Sequence, residues 1–113
     1  PRLHAKYLQL LNQMKTMHSD AEVKYKRLYK DKWLYYNGKA PASVYAENPF
    51  DLKVLKGDLD MFIDSDDDVC KAKQKKDYLE TCINSIDRIL KQIHNRGFDI
   101  KNTIEIVKYY GIR

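Results

Sequence analysis

The chain has 113 residues, of which 33% are charged and 43% hydrophobic, and its formal net charge is +5. This length allows one domain with a modest core. No apolar run approaches the roughly 18 residues that a membrane span needs, so we expect no membrane partner. There is no secretory signal, and because the chain begins with Pro1 rather than Met, we expect that a native N-terminal piece precedes it.

The charge is unevenly distributed. Residues 1–39 carry nine Lys and Arg against three acids, residues 40–70 carry two against eight, and residues 71–113 carry ten against five. The two basic ends are suited to a polyanion, and the acidic middle is suited to a basic surface on a neighbouring subunit or a partner. Helix capping accounts for about half of the acidic stretch.

Apolar side chains of the first 36 residues recur at helical spacing. On a helical wheel they share about 100° of arc, which predicts one amphipathic helix of about 34 residues starting near Leu3. A capping box formed by Ser19 and Glu22 would split this helix, but the stripe keeps its phase across them. We expect a face of this length to need partners, most simply copies of the same chain.

Residues 25–39 combine aromatic and basic side chains. Five rings lie between Tyr25 and Tyr36, among four cations. Bases stack on rings and cations follow phosphates, so the pattern suits single-stranded nucleic acid. The alternative is a tyrosine-rich core face with solvated lysines. The candidate DNA-binding residues are Lys26, Arg27, Lys30, Lys32, Trp33 and Lys39.

The helical wheel separates these candidates. Lys26 and Lys30 lie one turn apart, beside or opposite the apolar stripe, and Trp33 lies at the boundary where it can stack. Lys32 falls inside the stripe. Its ammonium either extends out along its alkyl stem or points into a crevice where an anion binds.

The middle of the chain contains several turn signals. Gly38 is predicted to end the first helix in a left-handed conformation, and residues 39–48 are predicted to form a loop. Asn48 as cap and Pro49 at the first position predict a short helix over residues 49–56, closed by Gly57. Residues 58–64 are compatible with a strand or a helical turn.

Ser65 followed by three aspartates is a strong helix start, with the serine as the cap. The helix that follows has a heptad seam, with the charge of Lys76 inside it to fix register or oligomer state. The seam consists of Val69, Ala72, Lys76, Leu79, Ile83, Ile86, Leu90 and Ile93. A cluster of lysines at 71, 73, 75 and 76 is either a solvated face or a basic site.

Residues 94–98 predict the end of that helix, with Gly97 as the left-handed cap and Phe98 folding back. Asp99 is predicted to cap a last helix through Tyr110. Cys70 and Cys82 would lie about 18 Å apart on one helix, too far for a disulfide. We expect free, buried thiols and a reducing compartment, the host cytoplasm.

The sequence has no phosphate-binding glycine loop and no Cys–His metal spacing. The three histidines are far apart along the chain, and the acids of the middle stretch lack a nearby base or nucleophile. We therefore expect no enzyme activity, no metal and no cofactor.

Three motifs resemble a known family. They are Ala-Lys-Tyr-Leu at 5–8, Lys-x-Lys-x-x-Tyr-Tyr-x-Gly at 30–38 and Arg-Gly-Phe-x-Ile-Lys at 96–101. With them almost the whole chain resembles the UvsY family, the recombination mediators of T-even-like bacteriophages, whose members carry a further segment ahead of Leu3.

The resemblance implies a ring-like homo-oligomer, a hexamer or heptamer, that binds single-stranded DNA. It also implies two protein partners: the RecA-like recombinase UvsX, and the phage single-stranded-DNA-binding protein that the recombinase must replace. The family's basic-x-basic DNA motif maps onto Lys30 and Lys32. Asp31 replaces a small neutral residue there, and Lys32 replaces an arginine, so we expect weaker phosphate contact.

We thus predict an all-α fold in one domain, with a long N-terminal amphipathic helix and a C-terminal helical hairpin, assembling as a ring. The predicted function is that of a non-enzymatic recombination mediator. The alternative is a helical scaffold whose basic faces meet acidic protein partners.

Overall fold

The structure is a computed structural model and describes residues 2–95, 108 and 109. Every regular element in this described part is helical, which confirms the all-α prediction. In chain order the elements are α1 (Arg2–Tyr36), α2 (Ala42–Glu47), a 3-10 helix (Lys56–Asp58), α3 (Leu59–Asp64) and α4 (Asp67–Asn95).

Helix α1 is a single uninterrupted helix, as its apolar stripe predicts. Gly38 ends it with a φ of 74°, and the N–H of Lys39 donates to the carbonyl of Leu34 at 2.8 Å. Tyr45 provides a second hydrogen bond at this helix end, because its hydroxyl donates to the carbonyl of Tyr35 at 2.8 Å. Both hydrogen bonds satisfy carbonyls that a helix end leaves without an intrahelical partner.

The predictions for residues 39–57 are wrong in two places. Helix α2 occupies Ala42–Glu47, where we expected a loop, and residues 49–55 are not helical, where we expected a helix closed by Gly57. Pro41, with φ −58° and ψ 150°, precedes the helix that does form.

Tertiary packing explains why residues 49–55 are not helical. The Phe50 ring packs edge-on against Tyr36, with centroids 5.1 Å apart, and Val54 packs against a buried apolar cluster. These contacts outweigh the local helix-start signal of Asn48-Pro49, because capping contributes only about 1 kcal/mol.

Residues 58–64, which were compatible with a strand or a helical turn, contain helix α3. Leu59 and Ile63 lie one turn apart on its inner side and are both buried. Next to it, Ser65 does not cap α4 as predicted. Its hydroxyl instead donates back to the carbonyl of Met61 at 2.8 Å, and the α4 cap is Asp66, whose carboxylate accepts from the N–H of Asp68 at 2.9 Å.

The described chain divides into two compact units. One comprises Pro1–Asp20 with Asp77–Arg113, and the other comprises Ala21–Lys76. In the first unit, α1 and α4 each bury an apolar stripe within a single chain. The buried side chains are Tyr7, Leu11, Met14, Leu79, Cys82, Ile86, Ile89 and Leu90. Burial of the α1 stripe in this unit therefore does not require a second copy.

The predicted heptad seam is shifted. Cys82 and Ile89 are buried, whereas Ile83 and Ile93 are only half-buried. A straight helix has 3.6 residues per turn and drifts by about 20° per heptad from a 3.5-residue repeat, so the seam leaves the buried face. Burial of Cys82 is as expected, Cys70 is half-buried, and both thiols are free.

The unit Ala21–Lys76 is built around Leu59, Ile63 and Val69. Half-buried side chains from the C-terminal part of α1 pack against this cluster. They are Tyr25, Leu28, Tyr29, Trp33 and Tyr36, joined by Val54. The aromatic segment is thus largely a packing surface for α3 and the start of α4.

Helix α4 ends at Asn95. The predicted Gly97 cap, the Phe98 contact and the Asp99 cap lie outside the described residues, as does the last helix except for Lys108 and Tyr109, which are helical. No helix in the described part is long and apolar enough to span a membrane.

We expect Gly38→Ala to lower the free energy of unfolding by about 1 kcal/mol, because an added Cβ disfavours positive φ. The space around Gly38 is open, so strain of the backbone is the whole effect. The measurement is urea denaturation at fixed protein concentration.

Gly57→Ala is the matched control, because Gly57 also has open space around it but lacks a positive φ. Equal losses of stability in the two variants would contradict the assignment of strain to Gly38.

Candidate nucleic-acid interface

Three of the predicted DNA-binding cations share one exposed face of α1. Lys26, Arg27 and Lys30 are all exposed, and their positions span about 100° of the helical wheel. Lys26 forms an ion pair with Glu22 at 3.1 Å, one turn earlier. Such exposed pairs contribute at most about 1 kcal/mol, so a phosphate can replace the carboxylate.

Lys39 and Trp33 lie together at the end of α1. The Lys39 ammonium is 5.4 Å from the centre of the Trp33 ring, a cation–π contact that joins two predicted site residues. Trp33 is half-buried, and it packs against the apolar cluster of its unit. Part of the indole surface therefore stabilises the fold, and part remains accessible.

Lys32 is placed differently from the other five candidates. Residues two apart on a helix point in directions about 200° apart, so Lys32 faces away from Lys30. Its side chain is 22% exposed, and its ammonium pairs with Asp66 at 3.2 Å and with Asp68 at 3.0 Å. Of the two placements left open by the sequence, the structure has the crevice, filled by carboxylates of the same chain.

Asp66 is the centre of this cluster. The Tyr36 hydroxyl donates to its carboxylate at 2.6 Å, and the backbone N–H groups of Asp68 and Val69 donate at 2.9 Å and 3.2 Å. With Lys32, four donors surround a side chain that is 8% exposed. A buried carboxylate is tolerated only when it is paired and hydrogen-bonded in this way.

The electrostatics of the cluster follow from these contacts. Burial raises the pKa of Asp66, but the hydrogen bonds from Tyr36, Val69 and Lys32 outweigh it, so its pKa lies below its usual value. Burial lowers the pKa of Lys32, and the bonds to Asp68 and Asp66 raise it further than burial lowers it. Burial, followed by the bond to Asp66, raises the pKa of Tyr36. Both members of the ion pair are therefore charged at neutral pH.

The tyrosines of the segment make contacts within their own unit. The Tyr29 hydroxyl donates to Asp60 at 3.1 Å, and the Tyr35 hydroxyl donates to the carbonyl of Asn48 at 3.0 Å. The Tyr25 ring lies 5.3 Å from the ammonium of Lys76. Lys76, predicted to fix an oligomer register, thus has an aromatic partner within its own chain.

Asp66, Asp68 and Tyr45 have roles that were not predicted from the sequence. Aspartate caps helices as well as serine does, so the run Ser65-Asp-Asp-Asp contained the right cap next to the one we preferred. Tyr45 gave no local signal, because it acts on the end of a helix ten residues away. Among the described residues, no cluster of His, Cys, Asp and Glu could hold a metal ion.

We expect Asp66→Asn to lower the free energy of unfolding by about 1.5 kcal/mol at pH 7, because asparagine keeps the cap but loses the ion pair. The folded-state pKa of Asp66 is depressed, so its contribution is present above the unfolded value of about 3.9 and is lost as pH falls through the folded pKa. The difference between wild type and variant should therefore shrink below about pH 4. Urea denaturation at pH 7 and at several acidic pH values measures this.

Asp67→Asn is the control for this experiment, because Asp67 is an exposed acid in the same helical turn and makes none of these contacts. A wild-type-to-variant difference for Asp66→Asn that stays constant from pH 7 into the acidic range would contradict the assignment.

Comparison with known proteins identifies the family. A sequence model described as "Recombination, repair and ssDNA binding protein UvsY" matches residues 1–111. No curated protein matches the chain, and no solved structure does. The matched range contains every residue of the candidate interface and nearly the whole chain. The resemblance inferred from the three motifs is thereby confirmed, and the chain belongs to the UvsY family of recombination, repair and single-stranded-DNA-binding proteins.

Proposed function

We propose that this protein is a non-enzymatic recombination mediator. It binds single-stranded DNA and helps the RecA-like recombinase UvsX to load where the phage single-stranded-DNA-binding protein already covers the strand. The family assignment supports the single-stranded-DNA part. The observation that carries the proposal is the exposed row of Lys26, Arg27 and Lys30, continued by Lys39 beside Trp33.

In this proposal the exposed cations contact the phosphates, and Trp33 contacts a base. Lysine and arginine side chains on one helix face can follow a flexible backbone without reading its sequence, which suits a mediator that acts on any strand. Because most rings of the segment pack within the chain, stacking is assigned to Trp33 alone. Lys32 then contributes less than its place in the family's motif suggests.

Copies of the chain are proposed to form a ring that places these faces around a shared surface. DNA bound along that surface would be stretched or kinked into a form that the recombinase can take over. The resemblance to the UvsY family is what supports association of copies, because the exposed apolar side chains Leu8 and Met17 lie about 180° apart around α1 and do not form one patch. The acidic residues 40–70, with Leu52 and Leu55 exposed, would repel DNA and so remain available to protein partners.

We expect Lys26→Ala and Lys30→Ala each to weaken binding of single-stranded DNA about fivefold at about 0.1 M salt. Each lost phosphate contact should also flatten the log–log salt dependence by about 0.7. Anisotropy of a labelled oligonucleotide of mixed sequence, titrated at several salt concentrations, measures both quantities.

Lys91→Ala is a closely matched control for Lys26→Ala. Each lysine is 72% exposed and pairs at 3.1 Å with an acid four residues earlier, but Lys91 lies on α4, outside the candidate interface. Equal effects of the two changes would remove the α1 face from the DNA site. The mediator role is tested by assembly of the recombinase on covered DNA, which Lys30→Ala should slow and Lys91→Ala should leave unchanged.

Trp33 provides a direct probe, because it is the chain's one tryptophan. We expect single-stranded DNA to quench its fluorescence, with saturation at the same concentration as the anisotropy signal, because a base stacks on the indole. Heparin is the control, since it is a polyanion without bases. DNA binding without quenching, or equal quenching by heparin, would contradict base stacking on Trp33.

A further inference from the structure

The two carboxylates that hold Lys32 differ in how firmly they are fixed. Asp66 is 8% exposed, and three donors besides Lys32 hold its side chain. Asp68 is 63% exposed and contacts the Lys32 ammonium at 3.0 Å. The Asp66 carboxylate is therefore part of the fold, whereas the Asp68 carboxylate can turn into solvent at small cost.

The position of Asp68 also shows that Lys32 can be reached from outside. An exposed carboxylate touches the ammonium, so the ammonium lies at the edge of the interior although its stem is covered. An ammonium has three N–H donors, and the ion pairs with Asp66 and Asp68 engage two of them. A phosphate oxygen that took the place of the Asp68 carboxylate would accept the same hydrogen bond.

Charge decides how readily that exchange occurs. Lys32 contacts the carboxylates of Asp66 and Asp68, so two negative charges lie against one positive charge. A phosphodiester approaching this place is repelled by the acids and must displace one of them. Loss of the Asp68 charge would reduce the repulsion of the phosphodiester, and it would also leave one N–H donor of the Lys32 ammonium available to a phosphate.

We propose that Asp68 sets the affinity of this chain for single-stranded DNA by occupying, on Lys32, the place of a backbone phosphate. This inference rests on the proposed function, because it assumes that a strand lies on the end of α1. Lys32 then acts as a reserve contact, engaged only when Asp68 moves away. Asp66 keeps the stem of Lys32 in place in both states.

The experiment compares Asp68→Asn with Asp67→Asn by anisotropy with a labelled oligothymidylate of fixed length. Both variants remove one negative charge from the first turn of α4, but Asp68 contacts Lys32 and Asp67 does not. We expect Asp68→Asn to tighten binding about two- to fivefold, the range of an exposed ion pair, and to steepen the salt dependence by up to about 0.7. Asp67→Asn should have a smaller effect and leave the slope unchanged.

Adding Lys32→Met to each variant completes a double-mutant cycle. If Asp68 and a phosphate compete for Lys32, the extra tightening of DNA binding by Asp68→Asn disappears in the Lys32→Met background. Thermal melting followed by circular dichroism confirms that the variants are folded. If Lys32→Met does not fold, the comparison of Asp68→Asn with Asp67→Asn tests the inference alone, because both variants keep Lys32.

Two results would overturn the inference: equal tightening by Asp67→Asn and Asp68→Asn, or tightening by Asp68→Asn that persists without Lys32. Either result leaves the proposed function intact, since the chain still binds DNA. Absence of any binding by the wild-type chain would instead overturn the proposed function.

Discussion

The ion pair between Lys32 and Asp66 is the constraint on which the unit Ala21–Lys76 depends. It joins the last turns of α1 to the first turn of α4, and it does so with a lysine that interrupts an apolar stripe. Burying either charge alone would cost several kcal/mol, so each side chain needs the other. The Tyr36 hydroxyl and two backbone N–H groups complete the shell of Asp66, which makes the arrangement specific to one register of the two helices.

The fold could be predicted where local signals and packing agree. The α1 stripe and Gly38 determine a single helix and its end, and nothing distant opposes them. Residues 49–55 could not be predicted in this way, because Phe50 and Val54 are held by an aromatic and apolar surface that the chain forms elsewhere. Ser65 and Asp66 are equivalent caps in the sequence, and the partner that favours Asp66 is Lys32, 34 positions earlier.

The candidate site also has parts that local sequence signals predict and parts that depend on distant contacts. Exposure of Lys26, Arg27 and Lys30 follows from the helical wheel, and so does the place of Lys32 inside the apolar stripe. The anion that fills the Lys32 crevice does not follow, because Asp66 and Asp68 meet it only after α3 has turned the chain back. The five rings of the sequence likewise predicted contacts with DNA. In the structure the hydroxyls of three of them donate hydrogen bonds within the chain: Tyr29 to Asp60, Tyr35 to the carbonyl of Asn48, and Tyr36 to Asp66.

The two cations of a basic-x-basic motif on a helix therefore face different surroundings. Two residues of separation turn the side chains to opposite sides, so one cation can face a ligand while the other faces the fold. In this chain Lys30 is outside and Lys32 is inside, and the inner cation fixes the end of α1, which bears Trp33 and is followed by Lys39. Loss of DNA affinity on changing the inner lysine would then reflect a displaced surface as much as a lost phosphate contact, and the salt dependence separates the two. A displaced Trp33 weakens binding at every salt concentration without changing the slope, whereas a lost phosphate contact changes the slope.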